Sequence, residues 1–150
     1  MKNIFNQSEA QEVINRINNL TPETKAQWGK MDVSQMMAHC SVAYDMTYNE
    51  NQKKAGAIAK FMLKLFVKPT VCGSKPYKKN SRTSPEFIID TPKDFEVEKK
   101  RLIDYIEKTQ QLGEAHFENK ESPSFGAMTS QEWNNMFSKH LDHHLTQFGV

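Results

Sequence analysis

Three histidines stand where they could share one metal ion. The C-terminal stretch Lys139-His140-Leu141-Asp142-His143-His144 reads as part of a helix, in which each residue advances by about 100°. With His140 at zero, Trp133 falls at about 20°, His144 at about 40°, Phe137 at about 60°, Phe148 at about 80° and Leu141 at about 100°. Asn135, Lys139, Asp142 and Thr146 take the opposite side, at roughly 200–260°, and His143 sits at the edge of the apolar stripe, at about 300°. His140 and His144 are therefore the inward pair. Two imidazoles four residues apart on one face can reach a single ion, as in the zinc-protease helix. Leu141 stands where that motif carries its catalytic glutamate, which excludes the protease reading.

A second helical stretch places His39 on the side of Met36, Ala43 and Met46. Burying an imidazole is costly unless a hydrogen bond or a metal compensates. One inward histidine is usually a hydrogen-bonded core residue, whereas three on two helices fit a ligand set. Three neutral imidazoles with a fourth position left to water are the arrangement of a catalytic zinc site. Nickel and ferrous iron accept the same ligands. Gln147, at about 340°, is placed either to orient a ligand through an outer hydrogen bond or to pack between helices. Cys40 lies about 100° around the helix from His39 and is expected to pack as a small apolar side chain. His116 is expected to be solvated in a connecting stretch, and Trp28 and Trp133 to anchor the core. No Ser-His-Asp order and no glycine-rich phosphate loop is present.

The elements that must position these residues carry their own start and stop signals. A first helix is expected from about Gln7 to Leu20, with Asn6 as N-cap, Glu9 completing a capping box and Thr21-Pro22 ending it. A second runs from Asp32, with Gln35 three residues on, to about Asn49. A third begins at Thr91-Pro92 and ends at Gly113. The last begins at Thr129, with Glu132 three residues on, and ends at Gly149. Gly56 to Val67 reads as a shorter amphipathic helix, Pro69 to Pro85 as loop, and no segment as a strand. The pattern predicts an all-α fold, a four-helix bundle with a short helical insert between the second and third long helices, in one domain over residues 1–150.

Composition narrows the classes further. Charged residues make up 25% and hydrophobic residues 37% of the 150, a globular balance. No apolar run approaches the roughly 20 residues of a membrane span, so integral membrane association is not expected. The N-terminus turns polar at once, and two cysteines, Cys40 and Cys72, make no disulfide framework, which together point to a cytoplasmic protein. The net charge of +2 is unevenly spread. Lys53 to Arg82 holds nine Lys or Arg and no acid, leaving 20 − 9 = 11 basic against 18 acidic residues elsewhere. The ordinary reading is a solvated lysine-rich surface. The sharper ones are an anion-attracting rim, or a patch of Lys53, Lys54, Lys60, Lys64 and Lys68 for an anionic lipid surface. The modest net charge and the lack of a motif argue against nucleic acid.

At the candidate ligands the chain resembles a known group. Trp28-Gly29-Lys30, then Met31 to Cys40 with its Met-Met-x-His-Cys ending, Phe125-Gly126, Trp133, and Lys139 to Gly149 are similar to the DinB/YfiT-like superfamily, in a branch catalogued as a domain of unknown function. The resemblance implies a dimeric four-helix bundle in which one histidine of the second helix and a His-x-x-x-His pair of the last bind zinc, nickel or iron. Here these are His39, His140 and His144. It also implies relatives that act as thiol-dependent transferases or isomerases. Two readings follow. The first is a metal-dependent transferase or hydrolase holding one divalent ion, zinc first, that acts on a small molecule with a low-molecular-weight thiol, as a homodimer. The second is a non-catalytic helical metal-binding or interaction protein.

Overall fold

The computed structural model describes residues 2–49 and 55–150, so the expected contributions of Lys53 and Lys54 lie outside the described residues. The fold is mostly helical. Its elements are α1 (Gln7–Asn18), α2 (Val33–Tyr48), α3 (Ala57–Phe66), α4 (Lys68–Cys72), a 3₁₀ turn (Pro85–Phe87), α5 (Phe95–Phe117), strands β1 (Lys120–Ser122) and β2 (Gly126–Met128), and α6 (Ser130–Gln147).

The long helices start where local chemistry satisfies their free N–H groups. Asp32 accepts from the Gln35 N–H while the Gln35 side chain accepts from the Asp32 N–H, and Thr129 and Glu132 repeat this reciprocal cap on α6. At α1 only half of the expected box forms. Asn6 accepts from the N–H groups of Ser8 and Glu9, but the Glu9 carboxylate turns to the Asn3 N–H instead. Helix α5 begins at Phe95, later than Thr91-Pro92, because the Asp94 carboxylate caps it by accepting from the Val97 N–H. Gly113 breaks the helical dihedrals as expected (φ 72°, ψ 171°), but one more turn follows, to Phe117. That turn carries His116, which is exposed on the helix and not in a connection.

Two further expectations are corrected. Residues 120–128 form an antiparallel hairpin, with Lys120 opposite Met128 and Ser122 opposite Gly126, where no strand was expected. Three-residue strands are too short to show an alternating pattern. Within the span read as loop, Lys68–Cys72 forms a helix, with Pro69 in the first turn, where its missing N–H costs nothing.

One apolar cluster joins α1, α2, α5 and α6. Val13, Ile14 and Ile17 of α1 meet Met36, Met37, Cys40 and Tyr44 of α2, Leu102 and Ile106 of α5, and Trp133, Phe137, Leu141 and Leu145 of α6. Tyr44 lies flat between Phe137 and Tyr105, with ring centroids 4.5 and 5.5 Å away. Each such fully buried side chain contributes roughly 1.5–3 kcal/mol. Helix α2 is buried on most of its circumference, since it faces α5, α6 and the 3₁₀ turn. The side of α6 opposite the core is also covered. Helix α4 packs there, where Asn135 donates to the Cys72 carbonyl and the buried Lys139 ammonium donates to the carbonyls of Thr70 and Gly73. No described helix is long and apolar enough to cross a membrane.

Candidate metal centre

His39 projects from the middle of α2, and His140 and His144 from the last two turns of α6, so the capping boxes that fix those helices also fix the imidazoles. The structure brings all three predicted ligands together. One ring nitrogen from each lies within 4.8 Å of the others. Ring centroids are 4.9 Å apart for His39–His140, 4.6 Å for His39–His144 and 4.9 Å for His140–His144.

The hydrogen bonds around the rings assign their protons. His39 Nδ1 lies 2.7 Å from the Phe87 carbonyl oxygen, which can only accept, so Nδ1 carries the proton and Nε2 keeps its lone pair. His144 Nδ1 lies 2.7 Å from Gln147 Oε1. The Gln147 amide is itself oriented, because its Nε2 donates to the Trp28 carbonyl at 2.6 Å. Its oxygen therefore faces His144, which donates from Nδ1 and also keeps a lone pair at Nε2. His140 Nε2 is 2.9 Å from His39 Nε2. Such outer partners are what set tautomer and ring direction in metal-binding histidines.

The electrostatics hold the set neutral. Burial pushes the His144 imidazole down to about 3, helped by the neighbouring His39 and opposed by the Gln147 hydrogen bond. Burial also carries His140 well below its ordinary value, with His144, His39 and His143 adding to it. His39 is lowered by burial against the raising effect of its bond to Phe87. Three neutral imidazoles are the protonation state that a divalent cation needs.

The outer parts of the site come from loops. Gly29 takes φ +86°, and a Cβ there would stand 2.4 Å from Gln147 Nε2, so only glycine lets the Gln147 amide reach the Trp28 carbonyl. Trp28, expected in the core, is instead half-buried at the rim, with Lys79 Nζ 4.0 Å over its ring and His143 edge-on at 6.0 Å. Trp133 is buried as expected. His143 lies outside the cluster, against Trp28 and against Tyr77 at 5.6 Å. Gln147 was placed by the helical wheel. The roles of Phe87 and Tyr77 were not, since a backbone carbonyl carries no side-chain signal and both residues sit outside the long helices.

Neither cysteine takes part. Cys40 packs against Met36 with its thiol pushed up by complete burial, and burial of Cys72 pushes its thiol up to about 12.

Comparison with known proteins adds one relation. The chain belongs to the family described as a protein of unknown function (DUF1569), whose model matches residues 3–149. No curated protein and no solved structure matches it.

Proposed function

We propose that this chain binds one divalent metal ion between α2 and α6 through His39, His140 and His144, and that it is a metal-dependent transferase or hydrolase. The helices α1, α2, α5 and α6 are read as a four-helix bundle of the DinB/YfiT-like kind. The observation that carries the reading is the donor set itself. Three neutral imidazoles converge, and two of them have their protons held on Nδ1 by Phe87 and Gln147, which leaves the Nε2 lone pairs for an ion. A donor set of three nitrogens suits zinc first, with nickel and ferrous iron compatible. When bound, the ion would act as a Lewis acid, making water or a thiol a better nucleophile at neutral pH.

The chain's own residues have definable tasks in this scheme. His39 and His144 offer Nε2 without moving a proton. His140 Nε2 lies 2.9 Å from His39 Nε2 and offers a lone pair to the same point when its proton is carried on Nδ1. The buried thiols of Cys40 and Cys72 are not thiolates at neutral pH, so a thiol cosubstrate has to be a small molecule from outside. Homodimerisation and a cytoplasmic location complete the proposal.

The test is elemental analysis of protein purified without chelator or imidazole, followed by assays pairing small thiols with electrophiles. Close to one divalent ion per chain and metal-dependent turnover are expected. Metal-free protein that neither takes up zinc nor turns over any pair overturns the reading. The 2.9 Å approach of His140 to His39 favours a second reading, a non-catalytic protein in which the histidines bond to one another. Metal uptake without turnover is the result that selects its metal-binding form.

A further inference from the structure

Helix α3 exposes what a helix normally buries. None of its residues is buried, and Ile58, Phe61, Met62, Leu65 and Phe66 are 83, 65, 48, 55 and 64% exposed. With Ile58 at zero these five fall within one arc of about 140°, from Phe61 at about 300° through Leu65 and Met62 to Phe66 at about 80°. The opposite side faces the protein: Leu63 packs against the core, and Lys60 pairs with Glu121 of β1 at 3.8 Å. A contiguous apolar patch of this kind marks an interaction surface.

The charge around it is of one sign. Lys64 is exposed, lies about 60° beyond Phe61 on the wheel, and pairs with no described acid. The chain that follows carries exposed Lys75, Lys78 and Arg82, and no acidic residue occurs from position 53 to 82.

We propose that the apolar face of α3 docks on an anionic lipid surface, with Ile58, Phe61, Met62, Leu65 and Phe66 entering the boundary between headgroups and acyl chains and Lys64 meeting the headgroups. An amphipathic helix with phenylalanine and leucine on one side and lysine beside them is built for that boundary. A second copy of the chain suits the face less well. A ten-residue helix, about 15 Å long and about 11 Å across, has a footprint on the order of 170 Å², short of the roughly 800 Å² per partner that a stable interface buries. Apposing two such helices would also bring together two segments that both lack acids. Nucleic acid would satisfy the lysines and leave five large apolar side chains in water.

The experiment is sedimentation of the full chain with phosphatidylcholine vesicles, with and without phosphatidylserine. The chain is expected to pellet with the phosphatidylserine vesicles, less so at high salt, and to stay largely in solution with phosphatidylcholine alone. Phe61→Ser combined with Leu65→Ser should cut partitioning by roughly tenfold or more, and Lys64→Glu by a smaller factor. Because Phe61, Lys64 and Leu65 are all exposed, both variants should keep the wild-type thermal midpoint, so lost binding is not lost folding. No binding to either vesicle overturns the proposal. So does undiminished binding of the double serine variant, which would make the attraction purely ionic, or a wild-type dimer that this variant converts to monomer, which would assign the face to a second copy.

Discussion

The histidine cluster and helix α3 invert the usual distribution of side chains in opposite senses. Between α2 and α6, polar rings are held inside, and each of His39 and His144 has a dedicated hydrogen-bond partner. On α3, large apolar side chains are held outside, with none of the described residues covering their face. The first arrangement is costly to fold unless something returns the desolvation of three imidazoles. The second is costly in water unless something covers it. Departures from the ordinary pattern collect where a protein meets something other than itself, and these are the two regions to which the proposals assign a ligand, a cation at one and a lipid surface at the other.

The contrast is broken most severely at the ligands. His144→Ala or His140→Ala removes one of three donors and is expected to abolish stoichiometric metal, a loss beyond the ~10–100-fold seen for outer partners. Elemental analysis and zinc titration check this. A His144→Ala protein that keeps a full complement of metal would end the proposed site.

Core and surface should separate next. Leu102, fully buried on α5, is expected to cost about 2–5 kcal/mol on truncation to Ala. Leu65→Ala on α3 should stay within about 0.5 kcal/mol of the parent. Urea unfolding of both variants reads the difference. An equal loss at Leu65 would mean that α3 is packed in solution, against the exposed placement described above.

How far these features were legible depended on whether their cause was local. The caps of α2 and α6 are reciprocal bonds between residues three apart, so Asp32 with Gln35 and Thr129 with Glu132 could be read directly. The inward placement of His39, His140 and His144 follows from helical spacing alone, and Gln147 came with it. The environment of Lys139 was hidden because the wheel sees one helix only. Lys139 lies opposite the core, as read, but α4 covers that side and takes its ammonium on two carbonyls. Phe87 escaped because its contribution is a backbone oxygen brought in by a tertiary contact. Gln35 also shows how narrow the local margin is, since the same spacing at Asn6 and Glu9 yielded only half a box.

Lowering the pH should weaken the metal-free protein through the same histidines. Their folded-state values lie below the ordinary 6.5, to about 3 for His144, so from 6.5 downward the unfolded chain binds more protons than the folded one. Their contribution is complete above pH 6.5 and is lost as pH falls below it, at up to about 1.4 kcal/mol per pH unit for each group. Denaturant unfolding of metal-free protein between pH 7.5 and pH 5 measures the slope, and His144→Asn should reduce it. A flat profile would mean that the imidazoles are not held neutral by burial.

The smallest effects separate two residues that flank the site in different ways. Gln147 touches His144 directly, and its amide is clamped by the Trp28 carbonyl beside Gly29. Gln147→Ala frees the His144 ring to rotate and to change tautomer, so metal affinity should fall by ~10–100-fold while stoichiometry is kept at saturating zinc. His143 is next to His144 in sequence but about 60° from His140 on the other side of the helix. Its ring lies edge-on to Trp28, Tyr77 and His144, the last at 5.0 Å, and makes no hydrogen bond to any of the three proposed ligands. His143→Ala should therefore retain the ion with a smaller loss than Gln147→Ala. Competition titrations against a chelator of known affinity order the two variants. If His143→Ala proves the more damaging, then the side chain beside Trp28 and Tyr77 reaches the ion, and the ligand set between α2 and α6 has to be redrawn around His143 and His140.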